Sequence, residues 1–410
     1  MHKYNRTKFA CYYTYLTSAS AFCLPPLLFV TFREMYGISY TLLGTLVLIN
    51  FCTQLIVDLI LSFFTKYFNL HKAITVMPLI TSFGLLVYAI VPALFPDIAY
   101  FGLVLGTVIF SISAGLCEVL MSPLIAAIPS ENSEHDMSKL HSLYAYGVCM
   151  FVIISTLFIK VFGNENWMYL TAFCALLPIV SYVLYKTSPM PPLDITNQSA
   201  KSNTAKRKTG LILCFICIFL GGATENSMTN WISGYMETAL KIPKMFGDIF
   251  GMATFAVLIA VGRTLYGKYG RNISKVLLVS MITSFICYLT AGLCVVPIIS
   301  MVACVLCGLC SAMLWPGTLI FMEEKMPSPG VAAYALMAAG GDFGSSVAPQ
   351  VLGIVVDEVS ASSFALKLSE TLSMSVEQIG MKAGMVVGAL FPMMGILMII
   401  IIKKYFYTSK

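Results

Sequence analysis

Five ionisable side chains stand inside long apolar runs of this 410-residue chain: Asp58, Glu118, Glu225, Arg263 and Asp342. A charge at the centre of a membrane helix costs roughly 2.5–3.5 kcal/mol on insertion scales, so such residues face a cavity or a partner and mark function by default. The densest polar group is the stretch 221–235, which holds Glu225, Asn226, Asn230, Trp231 and Tyr235 among serine, threonine and glycine. Hydrocarbon does not tolerate that mixture unless its groups meet a pathway or each other. The stretch is therefore expected to line a route for a solute.

Each group suggests a particular chemistry. Glu118 lies in Gly115-Leu-Cys-Glu-Val-Leu-Met-Ser-Pro123, where the proline can loosen the helix beside the carboxylate. Carboxyl groups in such surroundings can exchange protons near neutral pH, so Glu118 and Glu225 are the candidates for proton coupling. The plainer alternative for Glu118 is a structural pairing with Arg263 or a hydroxyl. Trp231 and Tyr235 are four apart and share a helix face. With Asn226 and Asn230 they could bind a solute, stack on a sugar ring or close a gate; the alternative is an interfacial aromatic belt. Trp315 belongs with them through Trp315-Pro316-Gly317, which breaks a helix and could bend it at a cavity. Asp58, Arg263 and Asp342 read as conformational charge pairing. Asp342 sits in Gly-Gly-Asp-Phe-Gly, where Gly340 and Gly344 permit close helix approach. His141 could relay protons, but a satisfied histidine near the headgroups is the favoured reading.

These residues need a frame that holds them in a bilayer. Apolar residues make up 58% of the chain and charged ones 11%, against about a quarter in soluble proteins. Too little polar residue remains to cover a soluble core. Twelve segments approach or exceed the ~20 residues that span hydrocarbon: about 9–31, 40–63, 73–95, 98–128, 138–160, 166–186, 209–239, 246–267, 274–296, 298–322, 331–356 and 383–403. The first is expected to be retained, since no cleavage site precedes it. The fold class is an all-α polytopic membrane protein in two six-helix bundles, 1–186 and 209–410, joined by a cytoplasmic linker, 187–208. The stretch 357–382 is expected to hold a short surface helix.

Lysine and arginine in the connections fix an orientation. With the N-terminus inside, eighteen fall inside and six outside, and Arg263 alone lies within a segment, which accounts for all 25. Both termini are then cytoplasmic, as expected in a bacterial plasma membrane. The net charge of +6 is thus a topology signal, and no basic face exists to serve nucleic acid. The 13 cysteines lie almost wholly in apolar segments; Cys304, Cys307 and Cys310 read as small residues stacked on one helix face, not as a metal site. No phosphate-binding glycine loop, cofactor motif or nucleophile–base pair is found, so neither an enzyme nor a cofactor is expected.

Two motifs carry a resemblance to a family. Glu118 followed by Pro123, and Gly222-Ala223 followed by Glu225, Trp231 and Tyr235, resemble the fourth and seventh helices of the major facilitator superfamily's fucose permease-like sugar–proton symporters. The resemblance implies two bundles around a cavity lined by helices one, four, seven and ten, with Glu118 as the titrating carboxylate. The group's first-helix aspartate has no counterpart here. Its loop signature is degenerate after the second segment, where Lys66 replaces an aspartate, and only Gly270-Arg271 survives after the eighth.

The resulting expectation is a secondary active transporter that moves a small polar solute, a sugar, by proton-coupled symport, as a monomer whose partners are solute, protons and lipid. A proton-driven exporter uses the same carboxylates and is the alternative. A non-transporting membrane receptor or scaffold is remoter, because nothing in it requires buried carboxylates in both halves.

Overall fold

The computed structural model describes residues 2–64, 67–130, 133–193, 205–326 and 331–407. Lys66, residues 194–204 of the linker and the side chain of His141 lie outside the described part. The described residues form helices and no strand. In order these are α1 (Asn5–Tyr36), α2 (Tyr40–Phe64), α3 (Leu70–Leu94), α4 (Ala99–Ala126), α5 (Ser133–Phe162), α6 (Trp167–Lys186), α7 (Ala205–Thr238), α8 (Lys244–Gly247), α9 (Thr254–Tyr269), α10 (Ile273–Leu293), α11 (Pro297–Ser311), α12 (Leu314–Lys325), α13 (Val331–Ser360), α14 (Ser363–Leu372), α15 (Val376–Gly388) and α16 (Leu390–Tyr407). A π-helical stretch, Asp248–Ala253, joins α8 to α9.

Eleven helical segments among the described residues are long and apolar enough to cross a membrane. The one expected segment missing from that set is the eleventh, 331–356, which forms α13, whose 30 residues reach about 45 Å at the helical rise. Gly340, Gly341, Asp342, Gly344, Ser345 and Ser346 dilute its hydropathy. The tenth segment is two helices, α11 and α12, broken at 312–313. Between α13 and α15 the expected surface helix is α14, capped by Ser362, whose side chain accepts from the Ala365 N–H. Lys382, counted among the six outside, is a buried residue and not a loop charge. Lys382 lies inside α15, and its Nζ donates to the Cys294 carbonyl at 2.7 Å. Cys294 follows the last residue of α10, so the ammonium sits against the negative end of that helix.

Helix ends follow local chemistry. Gly37 closes α1 with φ +64°, a conformation cheap only for glycine. Asn69 and Asn272 cap α3 and α10 in the same way, each side chain accepting the N–H three residues on. The connections before α3 and α10 thus end in the same kind of cap.

The chain forms two compact units: residues 1–38 with 49–196, and residues 39–48 with 197–410. In the first unit α3 and α4 lie close because Gly84 faces the Phe110 backbone; a Cβ there would stand 2.5 Å from the Phe110 nitrogen. Phe32, Tyr88 and Trp167 fill its core edge to face, with Phe32 and Trp167 centroids 4.9 Å apart. In the second unit α7 crosses α13 at glycines. Gly344 lies against the Phe219 carbonyl and Gly222 against the Gly341 carbonyl, both without room for a methyl group. The close approach expected at Gly340 and Gly344 is made to α7. The first turns of α2 belong to this unit, where Asp357 of α13 accepts the N–H groups of Tyr40 and Thr41 at 3.2 and 2.6 Å.

Candidate functional site

In the first unit, α2 and α4 face each other through polar stripes. Asn50, Gln54 and Asp58 recur every four residues on α2 and so share a face. The Asn50 Oδ1 accepts from Ser111 Oγ at 2.6 Å and from Gln54 Nε2 at 2.9 Å. Gly115 of α4 leaves room for Asp58, whose Oδ1 would stand 3.2 Å from a Cβ at that position. One turn further along α4 is Glu118, and carboxyl oxygens of Asp58 and Glu118 lie within 4.8 Å of one another. Asp58 is buried whereas Glu118 is exposed. Two charged carboxylates at this separation repel strongly in a low dielectric, and a single shared proton relieves the repulsion. Pro123 lies in the last turn of α4 without ending the helix, which runs on to Ala126.

A small pocket in the same unit is lined by Thr14, Thr17, Thr81, Ser113 and Ser181. Several of its hydroxyls are spent on nearby groups: Thr14 on the Ala10 carbonyl, Thr17 on Tyr13, Thr81 on Ser113 and Ser113 on Met77. These four hydroxyls are thus satisfied within the unit.

In the second unit, Glu225 of α7 and Arg263 of α9 form an ion pair, with Nη2 3.1 Å from Oε1. The Arg263 Nε donates to the Ala312 carbonyl at 3.1 Å. That carbonyl is available because Pro316, four residues on, has no N–H to give it. Beside Glu225, Asn226 donates to Ser345 Oγ at 2.8 Å, and Ser345 donates to the Gly341 carbonyl at 2.8 Å. Asn230 donates back to the Asn226 carbonyl and is buried. Tyr288 of α10 donates to the Thr224 carbonyl at 2.8 Å. The α7 polar stretch is thus clamped by α9, α10 and α13, while Glu225, Asn226 and Thr229 keep part of their surface open.

Trp231 and Tyr235 of α7 are turned away from Glu225 into packed surroundings. Trp231 is 1% exposed; its indole N–H donates to the Pro349 carbonyl at 3.0 Å and its ring lies 5.7 Å from that of Tyr40. Tyr235 is 0% exposed and donates to the Ala291 carbonyl at 2.5 Å. Trp315 is half-buried, its ring lying over Gly341. Asp342 is buried in α13. Of the three residues grouped for conformational pairing, Arg263 meets Glu225 and Asp58 meets Glu118.

A family model for the major facilitator superfamily matches residues 12–349. The chain belongs to that superfamily. No curated protein matches the sequence as a relative. Among solved structures, a bacterial homologue of the human lysosomal transporter Spinster is similar at a TM-score of 0.77 and 12% identity, over 98% of this chain and 97% of that one. A D-xylose–proton symporter is similar at 0.72 and 14% identity, over 94% and 96%. The fucose:proton symporter of E. coli is similar at 0.61 and 11% identity, over 98% and 99%. At such identities the likeness speaks for the superfamily fold, shared across transporters named for different cargoes.

Several residues that shape this superfamily member's two clusters did not stand out in the sequence: Asn50, Gln54, Ser111, Ala312 and Ser345. The four-residue spacing of Asn50, Gln54 and Asp58 was a readable signal. The role of Ala312 was not, because it is a backbone carbonyl released by a proline on its own helix and claimed by a different one.

Proposed function

We propose that this chain is a secondary active transporter that moves a small hydroxylated solute of the sugar class by alternating access, in symport with protons. The observation that carries the reading is the Asp58–Glu118 carboxyl pair, within 4.8 Å and inside two spanning helices. An exposed carboxylate in a spanning segment is tolerated where it meets water or a pathway, not lipid. Glu118 fits a residue that takes a proton from one side and gives it to the other, with Asp58 as the neighbour that makes its charge state matter. The superfamily supplies the transport framework, and the similarity to xylose and fucose symporters supports a sugar-like cargo. In this reading residues 1–186 and 209–410 are the two moving bundles, 187–208 their cytoplasmic linker, and both termini are cytoplasmic.

The test is uptake into proteoliposomes under an imposed pH gradient, with internal pH dye as a second readout. Substrate-dependent acidification of the vesicle interior, lost in Glu118→Gln, is the expected result. Solute flux with no proton movement in the native protein removes the symport assignment.

A further inference from the structure

We propose that the Arg263–Glu225 pair is the recognition site for a carboxylate on the transported solute, which enters together with one proton. The proposal rests on the transport reading above and names the chemical class of its cargo, a hydroxylated carboxylate such as a sugar acid.

The geometry points there first through Arg263. A guanidinium carries five N–H donors in a planar fork. Among the described residues only Nε and one Nη2 N–H are engaged, on the Ala312 carbonyl and on Glu225. The Nη1 edge has no partner among them, and the side chain is 47% exposed. The residue lies in a spanning segment, where lipid does not accept an open cation. A fixed fork with one edge free matches a carboxylate bidentately.

Glu225 gives the second, independent observation. Its side chain is 13% exposed, and the oxygen not bonded to Arg263, Oε2, is buried with no hydrogen-bond partner among the described residues. A buried carboxylate oxygen left without a donor is costly, and a site that tolerates it is built to receive one. The groups facing Glu225 are few. Arg263 comes from α9, the Cys307 thiol from α11 lies within electrostatic reach, Tyr288 from α10 is spent on the Thr224 carbonyl, and Asn226 on its own helix is spent on Ser345.

Charge accounting then selects the cargo. Glu225 and Arg263 together are neutral. A solute carboxylate arriving at the Nη1 edge adds one negative charge. A proton from bulk water that bonds to Oε2 cancels it and turns the orphan oxygen into a donor. Neutrality returns with one proton per carboxylate, and release reverses both steps. A phosphate dianion leaves one charge uncompensated. A cationic solute meets the exposed guanidinium before the sheltered carboxylate.

The experiment is titration calorimetry on the full chain in nanodiscs, in two buffers of different ionisation heat, with D-glucuronate, D-glucose, glucose 6-phosphate and a panel of three- to six-carbon carboxylates. At least one carboxylate is expected to bind with uptake of about one proton. Its affinity is expected to fall about tenfold or more in Arg263→Gln and to recover in part in Arg263→Lys, because the fork and the charge are separable. Glu225→Gln is expected to bind that carboxylate with proton uptake abolished. Gel filtration and circular dichroism establish that each variant is folded, and Arg263→Lys keeps the test decisive if Arg263→Gln is not. Glucose binding as tightly as glucuronate and indifferent to Arg263, a preference for glucose 6-phosphate, or no carboxylate binding at all each overturns the proposal. If a carboxylate binds with a proton but shows no counterflow in proteoliposomes, the recognition site stands and the transport reading fails.

Discussion

The Nε of Arg263 donates to the carbonyl of Ala312 at 3.1 Å, and Pro316 is the reason that carbonyl is free. A residue without an N–H, four positions downstream, leaves an acceptor open inside a spanning segment, and the arginine of a neighbouring helix fills it. The guanidinium is thereby held from one end while its Nη2 reaches Glu225. Gly317 continues α12 by donating to the Met313 carbonyl at 2.8 Å, so the break stays local. Pro316→Ala offers Ala312 a helical donor in competition with Arg263. Thermal stability is expected to hold or rise, while solute uptake at equal membrane amounts falls several-fold. Unchanged uptake would show that Arg263 is positioned without the Ala312 carbonyl.

Glu118→Gln keeps the shape of the Asp58–Glu118 pair and removes one titrating group. Uptake driven by a pH gradient is expected to vanish, and counterflow exchange, which needs no net proton movement, is expected to persist in part. Equal loss of both would return Glu118 to a structural role. Asp58→Asn removes one carboxyl neighbour of Glu118, and the pH dependence of uptake is expected to shift even if its maximal rate does not.

The spanning segments and the charges worth attention were legible because hydropathy and rare intramembrane charges are one-dimensional signals. Which charge meets which was not: Arg263 was a candidate partner for Glu118, and the structure pairs it with Glu225. Sequence distance carries no information about such contacts. The face assignment of α7 was only half read. Trp231 lies six residues beyond Glu225, about 240° round a helix at 100° per residue, so the carboxylate and the indole point to different sides. Polar composition alone drew them into one pathway. In a membrane helix the outside is as apolar as the core, which deprives the usual inside–outside pattern of its force.

That geometry gives a discriminating substitution. Trp231→Ala removes a fully buried ring and its hydrogen bond to the Pro349 carbonyl, and a loss of about 3–5 kcal/mol is the usual scale for such a change. Lower melting temperature and lower folded yield are expected, which would mask any effect on solute. Trp231→Phe retains most of the volume, and its solute affinity is expected to match the native protein. A drop in affinity at unchanged melting temperature would place Trp231 in contact with solute during the cycle.

Gly344 tests the crossing that seats Glu225. A side chain there meets the Phe219 carbonyl and the Ala223 nitrogen of α7. Gly344→Val is expected to force α7 and α13 apart at a cost of about 1–3 kcal/mol or more, because packed backbone cannot yield as a flexible side chain can. The melting temperature should fall, and cross-linking between cysteines introduced at facing positions of the two helices should slow. Gly267, with nothing within 4 Å of its would-be Cβ, is the control: Gly267→Ala should leave stability unchanged or slightly raised.

Asp136 offers a pH test outside the spanning segments. Its carboxylate pairs with Lys8 and accepts from Ser130 Oγ at 2.5 Å and from the Tyr12 hydroxyl at 3.0 Å, tying the start of α5 to α1. Burial works against its charge, but the hydrogen bonds from Lys8, Ser130 and Tyr12 and the Lys8 charge outweigh it and hold the group below its ordinary 3.8. A carboxyl whose folded value is depressed contributes stability that is present above the unfolded value and lost as pH falls through the folded one. The contribution is therefore intact at neutral pH and disappears only below 3.8. Asp136→Asn is expected to melt at a lower temperature than the native protein from pH 7 down to about 4, with the gap closing at more acidic pH. A gap that stays constant to pH 2.5 would mean the aspartate acts through shape and neutral hydrogen bonds, and that its charge contributes nothing to holding α1 against α5.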